Sequence, residues 1–270
     1  MSMNDTIFDM TKQGLETGLQ VQHIATLGRE LRTCQIDDQR DIATLFADFE
    51  SFDHIPVCKG GSIIGVISRG NEGNIEKHFQ QLDESNLISA QEPLTRFIPL
   101  MATTPYRLVL QGGSIRGIVT WSDLLKLPVR LFVFSLVTHL EMLMSAIIRV
   151  KYPKSQDDNE WLALLKSERQ EKVKEKWQEA TQENYALSFL EYTDFCDKRD
   201  IVRKLGSFGE RFKKDFEKIE KKLRDPVAHA GDYAHNDEEM KLFIANIDLA
   251  EKWINNLQKI LPKSQKEIQA

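Results

Sequence analysis

The sequence predicts an α+β region followed by an all-α helical bundle, because its patterning changes near residue 128. Before that point, short β-rich runs alternate with helical ones. After it, glycine and proline are sparse, and long charged, amphipathic stretches run towards the C-terminus. The first half also repeats a Gly-Gly turn after 52 residues. The predicted strands are residues 54–57, 63–68, 107–111 and 115–120.

Composition narrows the class of protein. The chain is 41% hydrophobic and 29% charged, which is typical of a soluble globular protein. Its formal charge of −5 argues against a surface coated by nucleic acid, although a local basic patch stays possible. The three cysteines, Cys34, Cys58 and Cys196, show neither metal-ligand spacing nor a disulfide framework. We therefore expect inert thiols, no metal site and a reducing cytoplasm.

The most apolar stretch, residues 127–148, is long enough to cross a membrane. Arg130, His139 and Glu141 lie within it, and a charge at the centre of a bilayer is costly. A helix buried in a bundle or in an oligomer interface is the favoured interpretation. No membrane partner is expected.

The change of patterning divides the chain at Leu127-Pro128. We expect an N-terminal segment (1–17), a paired sensing module (18–127), a helical bundle (128–262) and a C-terminal tail (263–270). The link between the two main parts is short, so movement in the first is expected to reach the second.

The repeat is the clearest sign of organisation. One copy reads IPVCKGGSIIGVIS from residue 55, and the other reads RLVLQGGSIRGIVT from residue 107. Each is a strand, a glycine turn and an apolar strand with an internal glycine, ending on a hydroxyl residue. Two such units, each too small to bury a core alone, are expected to pack as a pseudo-symmetric pair.

The repeat resembles the CBS domain, most specifically at GIVTWSDL from residue 117. The resemblance implies a nucleotide site in which Thr120 contacts phosphate and Asp123 contacts ribose, with Ser122 between them. The residue types suit those tasks, since a helix N-terminus binds anions and a carboxylate accepts two hydroxyls. The alternative is that Ser122 and Asp123 only cap a helix.

The other copy departs from the family pattern. Ser68 stands where the hydroxyl residue is expected, but Asn71 takes the place of the aspartate. That second site is therefore expected to bind weakly, to bind another ligand or to be empty. The resemblance implies an adenine nucleotide as regulatory ligand, although no residue distinguishes adenine from guanine.

The second half predicts helices over residues 129–150, 158–181, 185–196, 200–224 and 238–260. Asn236 followed by Glu239 forms a capping-box pattern before the last of them. The first helix is apolar nearly all round, so it needs cover on more than one side. A homodimer is the expected consequence.

One segment of this half carries chemistry: RDPVAH, from Arg224 to His229. Proline cannot continue the preceding helix, so Asp225-Pro226 predicts an N-cap followed by proline at the first helical position. Arginine clamps phosphate oxygens, and histidine moves protons near neutral pH. These two groups suffice for metal-free RNA cleavage by the 2′-hydroxyl. The alternative is an arginine paired to a carboxylate and a histidine that caps a helix.

The segment resembles the motif of the HEPN superfamily, and His139-Leu140-Glu141 resembles that family's opening helix. The resemblance implies catalytic Arg224 and His229 at a dimer cleft. Asp225 lies beside them where asparagine is commoner, and its charge would repel phosphate. Degenerate HEPN domains serve as scaffolds.

The helix before the motif is net basic, and Lys214, Lys221 and Lys222 are the expected RNA contacts. A solvated face with ion pairs such as Glu210–Lys214 and Glu217–Lys221 is the alternative.

The leading hypothesis is a nucleotide-regulated, metal-independent endoribonuclease that acts as a toxin or defence effector. Its expected partners are RNA, a nucleotide, a second copy of the chain and an antitoxin protein. One alternative is a non-catalytic sensor or adaptor whose helical domain only dimerises or recruits a partner. Another is a constitutive nuclease beside a purely structural first half.

Overall fold

The computed structural model of the protein describes residues 14, 17–153, 160–183, 188–206, 208–228 and 234–261. The chain forms two compact units, one of Gln13–Val129 and the other containing the chain from Arg130 onward. The first unit contains two β-sheets with short helices. The second unit contains helices and helical turns, and no strand occurs among its described residues.

The two sheets of the first unit have four strands each, in the orders β2-β3-β4-β5 and β1-β8-β7-β6. Their bounds are β1 Thr26–Leu27, β2 Cys34–Gln35, β3 His54–Lys59, β4 Ser62–Ser68, β5 Gln80–Gln81, β6 Leu87–Ser89, β7 Tyr106–Gln111 and β8 Ser114–Thr120. The helices of this unit are α1 Ile42–Asp48, α2 Ile75–His78 and α3 Leu94–Leu100. Short 3-10 turns complete it at Val21–His23, Gly28–Glu30, Glu84–Asn86 and Trp121–Leu125.

The two sheets repeat one design. In each, a short strand runs parallel to the first strand of an antiparallel hairpin, with a helix between them. Both hairpins carry an irregularity at the same place, between Val57 and Cys58 and between Val109 and Leu110. The four predicted strands are therefore confirmed as two equivalent hairpins.

The hairpin turns are built by glycine pairs. Gly60 and Gly61 have φ angles of 57° and 81°, and Gly112 and Gly113 have 59° and 79°. Two consecutive residues with positive φ are what a tight type I′ turn requires, and this turn matches the twist of the flanking strands. The Gly-Gly signal of the sequence thus has a direct backbone cause.

Two apolar clusters hold this unit together. One lies between α1 and the first sheet and includes Leu45, Ile55 and Ile67, each with 0% exposure. The other joins the two sheets, with Val66 from the first and Tyr106, Leu108 and Ile118 from the second. The second cluster is where the two copies of the repeat bury one another.

The helices of the second unit are α4 Leu127–Lys151, which begins three residues before this unit, α5 Ser167–Gln182, α6 Phe195–Leu205, α7 Glu210–Ile219, α8 Asp225–Ala228 and α9 Asp237–Ile260. A π-helical turn, Glu220–Arg224, joins α7 to α8. Helix α9 begins as predicted: the Asn236 side chain accepts from the Glu239 N–H at 2.9 Å, and the Glu239 side chain accepts from the His235 N–H at 2.8 Å. The helix predicted over residues 129–150 is confirmed as α4.

The single helix predicted over residues 200–224 is wrong. It is interrupted after Leu205, because Gly206 adopts extended backbone angles (φ −106°, ψ 168°). Phe208 then stacks on Phe212, with ring centroids 4.7 Å apart, and meets Trp253 of α9 edge-on. The aromatic contact fixes the direction in which α7 starts.

The helices predicted over 158–181 and 185–196 are also shifted. Residue 158 lies outside the described residues, and α5 begins only at Ser167, after an extended Lys166. In the second case, a short 3-10 turn ends before an extended Thr193, and Asp194 caps α6, which contains Cys196. Both aspartates near this start, Asp194 and Asp197, are bound by Arg169 of α5.

Helix α4 is long and apolar enough to cross a membrane by length and composition, and 56% of its most apolar window is buried inside the protein. Its polar residues are not isolated: Glu141 forms an ion pair of 2.8 Å with the buried Lys198 of α6. One side stays exposed, including Leu131, Phe134 and Met142 at 51%, 57% and 45%. Burial on the other side identifies this helix as a packing element of the bundle.

Candidate ligand and RNA sites

The turn after β8 carries the predicted nucleotide residues. The Asp123 carboxylate accepts from the Thr120 N–H at 2.7 Å and from the Thr120 hydroxyl at 3.1 Å. Its other oxygen forms an ion pair of 2.7 Å with Lys126, and the residue is only 5% exposed. Ser122 lies 2.8 Å from the Thr120 hydroxyl. The three residues are together, and in this structure they cap the 3-10 turn.

This arrangement favours the capping interpretation of Asp123 without assigning a ligand. Both carboxylate oxygens already have partners. A ribose would therefore have to replace Lys126 or share an oxygen with the Thr120 donors. Lys126 is half-exposed, so it is the partner that a ligand would displace most easily.

The equivalent turn after β4 is built differently. The Ser68 hydroxyl lies 2.9 Å from the His54 ring, and the exposed Asn71 is not buried as Asp123 is. Arg69 fixes this turn by donating to the carbonyls of Phe49, Glu50 and Phe52 at 3.1, 2.8 and 2.7 Å. The two halves of the repeat therefore present different surfaces at these ends.

The first residues of β3 and β7 meet where the two sheets pack. His54 and Tyr106 lie with ring centroids 4.7 Å apart, and the Tyr106 hydroxyl donates to Gln80 at 2.8 Å. Burial raises the pKa of Tyr106 to about 12, so its hydroxyl stays neutral. Sequence reasoning missed this pair, although equivalent positions in the two copies point to it.

The helical unit places Arg224 at the end of the π-helical turn. The Asp225 N–H donates to the carbonyl of Glu220, a bond one residue longer than in an α-helix. Asp225 has helical angles (φ −63°, ψ −48°), so the N-cap predicted at this residue is wrong. Pro226 has no N–H to donate. The wider π-helical turn shifts the hydrogen-bond register directly before it, at Asp225. Helical structure therefore continues through the proline.

The Arg224 guanidinium is partly exposed. It lies 3.4 Å from the Asp225 carboxylate, with 40% of the arginine side chain exposed, and 6.0 Å from the ring of Phe195. Such an exposed pair is weak and leaves the guanidinium free to exchange partners. His229, its predicted partner, lies outside the described residues.

Glu220, close to Arg224 in the chain, forms an ion pair with Arg199 that the sequence did not indicate. Arg199 is 7% exposed and donates to Glu220 and Asp200, each at 3.0 Å. Burial raises the pKa of Glu220; Arg199 opposes the shift, and Asp225 adds to it. Arg199 is thus held by two carboxylates and is not available to RNA.

Exposed lysines form a stripe on α7 and the π-helical turn. They are Lys214, Lys218, Lys221 and Lys222. Their spacing places them on one face, opposite the buried Phe212, Phe216, Ile219 and Leu223. Glu210 pairs with Arg203 at 3.0 Å and Glu217 with Lys213 at 3.8 Å. Within the described residues, the four lysines consequently form no ion pair.

A small cavity of about 220 Å³ adjoins the end of this stripe. It is lined by Lys221, Lys222, Pro226, His235, Glu239, Leu242, Phe243 and Asn246. Asn246 is 3% exposed, and its amide nitrogen has no hydrogen-bond partner in the described part of the chain. His235, which had no assigned role in the sequence, therefore lies beside the predicted RNA contacts.

No group of three or more histidine, cysteine, aspartate or glutamate residues that could hold a metal ion occurs among the described residues. Cys34 and Cys58 are buried, and Cys196 is partly buried. Burial raises the pKa of the Cys34 thiol to about 12 and raises that of Cys196 as well. Raised pKa values make both thiols poor nucleophiles.

Comparison with solved structures gives likenesses to the first unit. A hemolysin-like protein containing a CBS domain from Oenococcus oeni PSU is 14% identical, covering 43% of this chain and 93% of its own, with a TM-score of 0.34. The CBS domain pair of protein MJ0100, solved with 5′-methylthioadenosine and S-adenosyl-L-methionine, is 19% identical, covering 42% and 98%, with a TM-score of 0.33. The CBS domain of a bacterial CNNM/CorC family Mg²⁺ transporter in complex with ATP is 14% identical, covering 42% and 89%, with a TM-score of 0.34.

The first unit is similar to CBS domains. No protein-family model and no curated protein matches the sequence.

Proposed function

We propose that the protein is a nucleotide-regulated, metal-independent endoribonuclease. In this proposal the CBS-like unit binds an adenine nucleotide, and the helical unit is HEPN-like and binds and cleaves RNA. The protein acts in the cytoplasm as a homodimer, without a membrane partner, in a toxin or defence role that an antitoxin protein counteracts.

The lysine stripe carries the RNA part of the proposal. Four exposed ammonium groups, which form no ion pair within the described part of the chain, follow one helix face and end at the turn that holds Arg224. A row of lysines matches the phosphates of a single strand, whose released counterions favour binding. Proteins place π-helical turns at functional sites more often than elsewhere. Together these features support a phosphate-binding surface at Arg224.

The chemistry follows from two side chains. His229, assigned from the sequence, removes the proton of a ribose 2′-hydroxyl, and that oxygen attacks the adjacent phosphorus. The bond to the 5′-oxygen breaks, and this oxygen takes up a proton from the His229 imidazolium, which returns the histidine to its neutral form. Arg224 stabilises the charge that develops on the phosphate oxygens. The products are a 2′,3′-cyclic phosphate and a 5′-hydroxyl, and no metal takes part.

The nucleotide part of the proposal assigns Thr120, Ser122 and Asp123 to the ligand, with the half-exposed Lys126 as the group that moves. Ser68 and Asn71 form a weaker second position. Helix α4 starts four residues after Asp123, which supports a route by which the ligand biases the dimer.

The test is incubation of purified full-length protein with total RNA in EDTA, with and without ATP. We expect cleavage that survives EDTA, leaves cyclic phosphate ends and is lost in His229→Ala with an unchanged melting temperature. The double variant K221Q/K222Q should weaken RNA binding. The slope of the logarithm of its binding constant against the logarithm of salt concentration should become shallower by about 1.4, or 0.7 for each lost contact with single-stranded RNA. The matched control is K172Q/K174Q, which changes two exposed lysines of α5 that pair with Glu168 and Glu171.

Full activity in His229→Ala would exclude the nuclease assignment. Equal effects of the two lysine pairs would mean that the stripe has no special part in binding RNA.

A second candidate function is a non-catalytic sensor or adaptor. The observation that favours it is the Asp225 carboxylate, 3.4 Å from Arg224, because its charge competes with phosphate for the guanidinium. RNA binding or partner recruitment without any cleavage in the same assay would select this function.

A further inference from the structure

The CBS-like unit contains a cavity far from the Thr120 turn. It has a volume of about 760 Å³, and its lining includes Gly61 and Gly113 of the two hairpin turns. Thr120 is at the other end of its seven-residue strand, and neither it nor Asp123 lines the cavity. Ligand sites for small molecules have volumes of about 300–1,000 Å³, so the size suits one.

The floor of the cavity is apolar and comes from both halves of the repeat. Leu31, Ile63, Leu87 and Ile115 line it, each partly buried. All four pack against the cluster that joins the two sheets, so the floor is supported from below. An apolar group that covers these side chains would gain free energy by displacing water.

The mouth of the cavity is positively charged. Arg29 and Arg116 both line it, both are exposed, and no carboxylate is among the lining residues. They come from neighbouring segments, because β1 pairs with β8 so that Leu27 lies opposite Gly117. Within the described residues neither arginine forms an ion pair, although two adjacent like charges repel one another.

The two arginines are also departures from the repeat. Position 116 corresponds to Ile64 in the other hairpin, and the pairing of β5 with β4 matches position 29 to Asp83. The equivalent segment of the first sheet thus has an aliphatic and an acidic residue instead. The repeated fold does not require arginine at positions 29 and 116. A bound anion would explain why both are present.

We propose that this cavity binds a small phosphate monoester with an apolar body, of the aryl or alkyl type. The phosphate lies between the Arg29 and Arg116 guanidinium groups, each able to donate two parallel hydrogen bonds. The apolar body covers Leu31, Ile63, Leu87 and Ile115. Ser62 and Ser114, at equivalent places in the two hairpins, also line the cavity.

The test uses three probes in fluorescence and calorimetric titration of the full-length protein: 1-naphthyl phosphate, 1-naphthol and inorganic phosphate. We expect 1-naphthyl phosphate to bind more tightly than either part alone. The double variant R29Q/R116Q should weaken its binding by at least about tenfold, which corresponds to about 1.4 kcal/mol. Its affinity for 1-naphthol should stay within about twofold of wild type, because the apolar floor is unchanged.

Two further variants keep the test specific. Arg32→Gln removes an exposed arginine that does not line the cavity, so it controls for net charge and should leave all three affinities unchanged. Thr33→Trp places a large side chain at the exposed lining residue Thr33 and should weaken both naphthyl probes. The melting temperature of each variant reports whether it folds.

The proposal is overturned if 1-naphthyl phosphate does not bind, or binds no better than 1-naphthol. It is equally overturned if a folded R29Q/R116Q binds like the wild type, if Arg32→Gln loses as much affinity, or if Thr33→Trp has no effect. None of these readouts depends on RNA cleavage, so the outcome is independent of the proposed nuclease.

Discussion

Gly65 and Gly117 lie at equivalent places in the second strand of each hairpin. A Cβ atom at Gly65 would lie 2.2 Å from the Gln80 carbonyl oxygen, and one at Gly117 would lie 2.5 Å from that of Thr26. Both carbonyls belong to short edge strands, since β5 pairs with β4 and β1 pairs with β8. The absence of a side chain is therefore what lets the edge strands pair.

Gly117→Ala tests this close approach. Because the added methyl group meets the Thr26 carbonyl oxygen as well as the Leu27 side chain, we expect a loss of about 1–3 kcal/mol in the free energy of unfolding. Urea denaturation followed by circular dichroism measures it. Gly18→Ala is the control, since a Cβ there meets nothing within 4 Å, and it should stay within about 0.5 kcal/mol of wild type. Equal stability of the two variants would contradict the packing argument.

Glu220 predicts a pH effect close to Arg224. Burial raises its pKa above the usual 4.5, so the folded protein binds this proton more tightly than the unfolded chain does. The contribution of Glu220 to stability is therefore complete below about pH 4.5 and declines as the pH rises through the raised pKa. Compared with Glu220→Gln, the wild type should lose stability as the pH rises above about 4.5.

Urea denaturation of both proteins across this range measures the effect. Glu168→Gln, which changes an 81%-exposed glutamate, controls for the loss of one charge. Parallel curves for wild type and Glu220→Gln would show that burial does not perturb this carboxyl group.

At the scale of elements, Arg169 decides how α5 meets the start of α6. It donates to Asp197 at 2.8 Å and also contacts Asp194, although Asp197 itself is only 3% exposed. Burial alone would raise the pKa of Asp194, but hydrogen bonds from Arg169 and Lys176 outweigh it and lower the pKa. One guanidinium thus compensates two carboxylates at a helix start.

Arg169→Met should destabilise the helical unit by about 2–4 kcal/mol, because it leaves the Asp197 charge buried without a cation. The value allows for the partial exposure of Arg169, at 27% of its side chain. Thermal and urea unfolding both report it. Arg211→Gln removes an 88%-exposed arginine whose contact with Asp215 is 3.6 Å long, and should cost less than about 0.5 kcal/mol. A similar loss in both variants would count against a special role for the buried pair.

At the scale of the whole molecule, the exposed side of α4 points to assembly. Leu131, Phe134 and Met142 repeat at helical spacing, and each is at least 45% exposed. A stripe of large apolar side chains in water favours association through the same surface on a second copy. We therefore propose a homodimer formed by α4.

The double variant F134E/M142E should convert a dimer into a monomer, since two carboxylates cannot be buried unpaired across a self-association interface. Light scattering on the full-length protein measures the mass. Leu242→Glu is the matched control, as Leu242 is 45% exposed on α9. A wild-type protein that is monomeric at micromolar concentration, or a double variant that remains dimeric, would exclude this surface.

Local signals were sufficient for several elements. The Gly60-Gly61 and Gly112-Gly113 pairs determine both hairpins, because positive φ angles are available to glycine without steric cost. Asn236 and Glu239 determine the start of α9, since their side chains reach the nearest backbone donors. The 52-residue repeat and the long apolar stretch that forms α4 can likewise be recognised from the sequence alone.

The tertiary structure decided what depends on distant partners. Arg169 lies 28 residues before Asp197, and its bond to that aspartate holds the start of α6, just after the break at Thr193. Phe208 follows the break at Gly206 and packs in an aromatic cluster that includes Trp253 of α9. Glu220, 21 residues after Arg199, accepts a hydrogen bond from that buried arginine. The π-helical turn carries the helix through Pro226 because its wider hydrogen-bond register precedes the missing N–H. Periodicity reports which face of a segment is apolar, but only packing decides what lies against that face.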